Sequence, residues 1–235
     1  MAKMRIDKYL ANAGIGTRTE VKNLLRKGRV MVNGQICKTP EEKIDEENDQ
    51  IVLDQIPVNY RKYEYYMFHK PAGCVSATKD NVSKTVLDYI QSPRKETLFP
   101  VGRLDKDTEG LLLITNDGEL GHRLTSPAHH VDKTYYAKLK GRVTNDDVIR
   151  FREGLDIGEE KLTMPAKLEV LDSDEISEIR VTIQEGKFHQ VKRMFQAVNK
   201  EVLYLKRLSM GSLLLDETLK AGEYRELTEE ELRNL

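Results

Sequence analysis

Cysteine is scarce in this sequence: Cys37 and Cys74 are the only two among 235 residues. They have neither the spacing of zinc ligands nor the density of a disulfide scaffold, so free thiols and no metal site are expected. Long apolar runs are missing too. None exceeds four residues, as at Leu111 to Ile114, against the roughly 20 needed to span a bilayer. Met1 to Asp7 lack the apolar centre of a signal peptide, so a cytoplasmic protein with no membrane partner is expected. There is no internal repeat and no low-complexity segment. Net charge is nearly absent as well: 38 Lys and Arg against 39 Asp and Glu give −1, which at face value argues against a nucleic-acid partner. What is present is 39% hydrophobic residues, enough for a core, and 33% charged residues, above the usual ~25%. The length fits one or two domains.

The near-zero total hides an uneven distribution. Residues 1–38 carry nine basic and two acidic side chains, a local +7, and residues 39–60 carry −6. Residues 185–207 carry +4 and residues 208–235 carry −4. In the first block Ile6, Tyr9, Leu10 and Ala13 recur with helical spacing, and Gly14 and Gly16 end that helix. Thr17 and Glu20 form a capping box for a second helix, in which Val21, Leu24 and Leu25 face inward. Arg18, Lys22 and Arg26 then form one stripe, with no acid interrupting it. Gly28 stops the helix, and Val30–Val32, Asn33-Gly34 and Gln35–Cys37 read as strand, tight turn and strand.

Arg5-Ile6-Asp7-Lys8-Tyr9-Leu10, Thr17-Arg18 and Gly28 to Gly34 resemble the small RNA-binding module shared by a small-subunit ribosomal protein, tyrosyl-tRNA synthetases and many RNA-modifying enzymes. The resemblance covers about residues 3–55. It implies RNA binding without chemistry, with Arg5, Lys8, Arg18, Lys22 and Arg26 as the expected phosphate contacts.

Beyond it, Glu41–Asp54 is expected to cover strand edges and a loop, and residues 55–61 to be a linker. This places an RNA-binding domain with its linker at 1–60 and a second domain at 61–235. Strands are expected at Tyr63–Phe68, Leu111–Thr115, Thr134–Leu139, Lys167–Leu171, Glu178–Gln184 and Leu203–Leu208. Helices are expected at Thr85–Gln91, from Thr144 to about Arg152, and at His189–Val198. Strands and helices do not alternate one for one, so the expected class is α+β with a mixed, mainly antiparallel sheet.

Chemistry concentrates in Val101-Gly102-Arg103-Leu104-Asp105-Lys106-Asp107-Thr108-Glu109-Gly110, ahead of a buried strand. A carboxylate in such a loop can be kept ionised by a neighbouring cation and used as a nucleophile. A calcium loop would need Glu at its twelfth position, where Asn116 stands. An aspartyl-phosphate nucleophile would follow an apolar strand, and here the strand comes after. Gly-Arg-Leu-Asp followed by Gly-Leu-Leu-Leu resembles the signature of pseudouridine synthases. Three more segments resemble motifs of that family, in family order: His69-Lys70-Pro71-Ala72-Gly73, Lys133-Thr134-Tyr135, and Glu185-Gly186-Lys187-Phe188-His189-Gln190-Val191-Lys192-Arg193. His69 departs from the Asn common there. With Thr125 to His130 before Lys133, the chain resembles the RsuA type, which isomerises a single uridine in small-subunit rRNA.

The resemblance implies a catalytic carboxylate at Asp105, a cation beside it at Lys192, and Tyr135 stacking on the uracil. Asp105 would act on the ribose, either adding at carbon 1′ or taking the 2′ proton. In the last helix Val191, Met194, Phe195 and Val198 form the apolar face; Lys192 lies at its edge and Arg193 points away, towards phosphate. Lys70, Arg103, Lys133 and Lys187 complete the expected RNA contacts. No cofactor is implied, because the reaction has no redox or phosphoryl-transfer step. The expected partner is ribosomal RNA, of the small subunit or in an assembly intermediate, bound by a monomer. The rival readings are an enzyme of large-subunit rRNA or tRNA, and a non-catalytic assembly factor, which would have no need of Asp105, Tyr135 and Lys192 together.

Overall fold

A computed structural model describes residues 3–46, 48–58 and 60–235. Contacts divide the chain into two compact units, Met1–Tyr63 with Ser92–Glu96, and Glu64–Gln91 with Thr97–Leu235.

In the first unit, β1 (Lys3–Arg5) leads into α1 (Ile6–Asn12) and α2 (Arg18–Arg26). The capping box forms: Glu20 N donates to Thr17 Oγ1 at 3.3 Å, and Thr17 N donates to Glu20 Oε2 at 2.7 Å. The strands β2 (Val30–Val32) and β3 (Gln35–Ile36) turn on Asn33 and Gly34, both at positive φ, as a tight hairpin requires. The acidic stretch is more ordered than a loop. It supplies β4 (Lys43–Asp45), which pairs with β1, and β5 (Ile51–Leu53), which pairs with β2. The expected linker also needs correction. Ile56–Pro57 forms β6 against β5, Val58 is buried, and Tyr9 donates to the Val58 carbonyl at 3.0 Å. Ile6, Leu10, Val21, Leu25, Val30 and Ile44 fill the core of this unit. The inward periodicity read from both helices is what buries the first four of these.

The second unit is built on one nine-stranded sheet. In chain order its elements are β7 (Tyr65–Lys70), β8 (Phe99–Val101), β9 (Glu109–Thr115), α3 (Gly118–Thr125), β10 (Lys133–Lys140), α4 (Asn145–Glu153), β11 (Lys167–Asp172), β12 (Ile176–Ile183), α5 (Gln190–Ala197), β13 (Glu201–Met210), β14 (Leu213–Leu214), β15 (Tyr224–Glu226) and α6 (Glu229–Asn234). Thr85–Gln91, expected as a helix, holds only a 3-10 turn, Val86–Tyr89. The path across the sheet is β11-β12-β10-β13-β9-β7-β15, with β14 on β13 and β8 on β9. Every pairing in it is antiparallel except β13 with β9. The mixed, mainly antiparallel sheet is therefore as expected.

Leu111 to Ile114 is buried on both sides. Leu112 and Ile114 join Phe68, Tyr135, Phe151 and Phe195 on one face, and Leu111 and Leu113 join Met67, Leu120 and Met210 on the other. A continuous apolar run is what a strand covered on both faces demands. The parallel joint is short, registering only Lys206 with Glu109 and Arg207 with Gly110. Gly110 makes it: at φ +106°, a Cβ there would lie 2.2 Å from the Arg207 carbonyl oxygen. Cys37 and Cys74 are buried free thiols.

Gly110→Ala is expected to cost about 3 kcal/mol or more in urea unfolding, through strain and forced separation of the two strands. Gly73→Ala, also at positive φ but with open space around it, is expected to cost only about 1–2 kcal/mol. Equal losses would show that close strand approach is not what fixes Gly110.

Candidate active site

Strand β7 ends in Lys70, whose side chain is wholly buried. Its Nζ donates to the carbonyls of Pro71 (3.1 Å), Asp105 (3.0 Å), Lys106 (3.3 Å) and Thr108 (2.9 Å). An ammonium has three protons, so four carbonyls saturate it. Burial lowers the pKa of Lys70, opposed by the charges of Asp107, Asp105 and Glu109. Lys70 is therefore unavailable to phosphate, and its expected RNA contact is withdrawn. It wraps the loop that carries Asp105. Ser76 adds a second hold, accepting from Leu104 N at 3.0 Å and donating to Leu104 O at 2.9 Å. Gly73 N donates to Lys106 O at 2.7 Å.

The Asp105 carboxylate, pinned from behind, stands half-exposed in a cleft of about 830 Å³, which Tyr135, Arg103, Lys133 and Lys187 also line. Lys192 Nζ lies 3.2 Å from Asp105 Oδ2 and 2.6 Å from Asp107 Oδ1. Burial pulls the Lys192 pKa down, but the hydrogen bond to Asp107 and the charge of Asp105 outweigh it, and the net shift is upward. Lys192, rather than Arg193, is thus the cation beside Asp105. The Arg193 guanidinium is spent on Glu159 (2.6 Å) and the carbonyls of Phe188 (3.1 Å) and Ile157, so its expected phosphate contact is also withdrawn. The carboxylates of this loop do not converge as calcium ligands would: Asp105 and Asp107 face Lys192, and Glu109 accepts from Tyr204 at 2.7 Å.

Tyr135 is buried on the cleft side of β10, while Tyr136 points to the other face and donates to Glu178 at 2.6 Å. That opposition follows from the twofold period of a strand. Lys187 pairs with Glu185 at 3.3 Å, and Lys133 donates to Val131 O at 2.8 Å; both still line the cleft. Arg103 is exposed at its wall.

Two side chains escaped the sequence reading. His189, at φ +49° as the N-cap of α5, puts Nε2 3.5 Å from Asp105 Oδ1. Its ring stacks on the exposed Phe188 at 3.8 Å. Arg207 lies buried across the strands from Tyr135. His189 stands within the third motif and could have been found from it; nothing local marks Arg207.

In the first unit, Lys8, Arg18 and Arg26 are exposed and Lys22 is half-exposed. Arg5 is different. It donates to Asp7 at 3.1 and 2.9 Å and to Glu41 at 2.9 Å, so it serves the fold and leaves the set of expected phosphate contacts. Among the described residues no group of three His, Cys, Asp or Glu is placed to hold a metal, and no helix is long and apolar enough to cross a membrane.

Comparison with known proteins fits this geometry. The family of RNA pseudouridylate synthases matches residues 64–197, and the S4 domain matches residues 4–51. The chain is 49% identical to the Uncharacterized RNA pseudouridine synthase YtzG of Bacillus subtilis (strain 168), over 99% of this chain and 98% of that one. It is 41% identical to the Ribosomal small subunit pseudouridine synthase A of Escherichia coli (strain K12), over 99% of this chain and 100% of that one. A crystal structure of a pseudouridylate synthase, 39% identical, matches with a TM-score of 0.70 over 98% of this chain and 99% of that one. The chain belongs to the RNA pseudouridylate synthase family, as a member with an S4 domain ahead of its catalytic domain.

Proposed function

We propose that this protein converts one specific uridine of small-subunit (16S) rRNA to pseudouridine in the cytoplasm, with Asp105 as the catalytic carboxylate. The observation that carries the reading is Asp105 in the cleft, 3.2 Å from Lys192 and facing the same space as Tyr135. The choice of small-subunit rRNA follows the names of relatives about 40% identical over nearly the full chain. Lys8, Arg18, Lys22 and Arg26 supply phosphate contacts from the S4 domain, and Arg103, Lys133 and Lys187 supply them around the cleft.

The uridine leaves its stack to reach Asp105, which single strands and loops make cheap. The bond from ribose carbon 1′ to N1 of uracil breaks, the base turns, and a bond forms from carbon 1′ to C5. The C5 proton leaves and N1 gains one, so atoms and electrons balance with no oxidant or cofactor. Asp105 acts on the ribose and must be ionised to do so. Lys192 holds that charge in place, and Tyr135 stacks on the base while it turns.

Asp105→Asn is expected to lower pseudouridine formation by about 10³-fold or more, with rRNA binding retained. Pseudouridine mapping in rRNA from cells lacking the gene, restored with wild type or variant, reads this; a fully active variant would overturn the assignment. Replacing Lys8, Arg18, Lys22 and Arg26 by Ala is expected to flatten the dependence of log affinity on log salt, by about 0.7–0.9 for each phosphate that is no longer neutralised. An unchanged slope would show that the S4 domain docks by another face. Lys70→Met is expected to cost about 3 kcal/mol of stability, by stranding carbonyls, and to leave the salt slope untouched. A flatter slope would return Lys70 to the phosphate contacts.

A further inference from the structure

Arg207 is among the largest fully buried side chains, at 1% exposure. It stands on β13 directly across from Tyr135 on β10 and lines the same cleft as Asp105. Its Nε donates to the Leu111 carbonyl at 2.8 Å, while its Nη2, fully buried, has no partner. Lys133, two residues before Tyr135, lines the cleft beside it and, among the described residues, donates only to Val131 O. Burial lowers the Lys133 pKa first and the charge of Arg207 lowers it further, against Asp132, which itself accepts from Gln184 at 2.9 Å. Of the other cations of the cleft, Lys187 pairs with Glu185 and Lys106 donates to Ser83 at 3.0 Å, while Arg103 is exposed at the wall. Among the described residues no carboxylate lies within ion-pair distance of Arg207 or Lys133.

Two like charges sharing one cleft wall, one with an unmatched buried donor, are unfavourable until something fills the gap. A neutral carbonyl would satisfy Nη2 and leave both charges facing each other. An anion relieves both, and guanidinium donors suit phosphate oxygens. We propose that Arg207 and Lys133 form an anion subsite in the catalytic cleft that holds the phosphate adjoining the uridine to be modified. This rests on the reading of the cleft as the seat of a flipped uridine. It gives the base a fixed tether while its glycosidic bond is broken.

The full-length protein is titrated with uridine 5′-monophosphate and with uridine, and binding is read from the ligand-induced rise in melting temperature. Wild type is expected to bind the monophosphate about tenfold or more tightly than uridine. Lys133→Gln and Arg207→Gln are each expected to shrink that preference to about twofold or less while uridine affinity holds. Arg207→Lys, which keeps the charge without the fork, is expected to retain part of it. Melting without ligand reports whether each variant folds; if Arg207→Gln does not, Lys133→Gln and Arg207→Lys carry the comparison. Equal affinity for the two ligands in wild type, no shift with the monophosphate, or a preference that survives Lys133→Gln overturns the subsite. So does an Arg207→Gln variant that loses uridine together with the monophosphate, which would show the guanidinium reading uracil. No rRNA enters this comparison, so an error in the choice of small-subunit rRNA would appear in the mapping experiment and not here.

Discussion

The candidate active site depends on one buried ammonium group. Lys70 has left water entirely, and burial by itself disfavours its charge. Four carbonyl oxygens compensate, and three of them belong to the loop from Asp105 to Thr108. While Leu104 just ahead of it is buried in the core, the segment from Asp105 to Thr108 has no apolar side chain with which to anchor itself. It is held by its backbone, leaving the Asp105 carboxylate free to face the cleft. The arrangement also explains how Asp105 and Asp107 can stand two residues apart without scattering: the backbone is fixed, and Lys192 neutralises both from the opposite side. A mobile loop would spend the attraction of Lys192 on ordering side chains rather than on a fixed geometry.

Charge balance has a similar logic. The total of −1 looks unsuited to RNA, yet the acids sit where they free or retain particular cations. Asp7 and Glu41 occupy Arg5, Asp54 occupies Arg29, and Glu159 occupies Arg193. Among the described residues Lys8 and Arg26 stay exposed with no such partner. Localised basic surface is sufficient for phosphate contact, whatever the total. Counting charges by segment therefore overstates the number of cations on offer, because a cation and the acid that holds it can be far apart in sequence, as Arg5 and Glu41 are.

That separation marks the limit of what was legible beforehand. Local chemistry read well: the Thr17–Glu20 box, the Asn33-Gly34 turn, the doubly buried run at Leu111 to Ile114 and the opposition of Tyr135 and Tyr136 all follow from spacing within a few residues. Asp105 and Lys192, 87 positions apart, were brought together by resemblance and by the edge position of Lys192 on its helix. Side chains whose role is set by tertiary partners did not read. Lys70 and Arg193 look like phosphate ligands until their carbonyl and carboxylate partners are seen. Residues 55–61 look like a linker because a two-residue strand such as Ile56–Pro57 carries no period of its own. Arg207 is one basic residue in a strand, and only burial that leaves its Nη2 without a partner distinguishes it.

The short parallel joint ties these observations together. Asp105 and the Lys70 clamp lie on the side of the sheet formed by β7 and β9; Tyr135, Lys192 and Arg207 come from β10, α5 and β13 on the other side. Among the described strands the two sides of the sheet are paired through β9 and β13, at Glu109–Lys206 and Gly110–Arg207, and the shared apolar core packs against that joint. That joint is two residues long, and a missing Cβ at Gly110 permits it to close, so it helps hold the carboxylate and its cation at their separation. Arg207 occupies both roles at once, its backbone in the joint and its side chain in the cleft. The proposed anion would meet the one donor left over, Arg207 Nη2, beside the seam at which β9 and β13 pair.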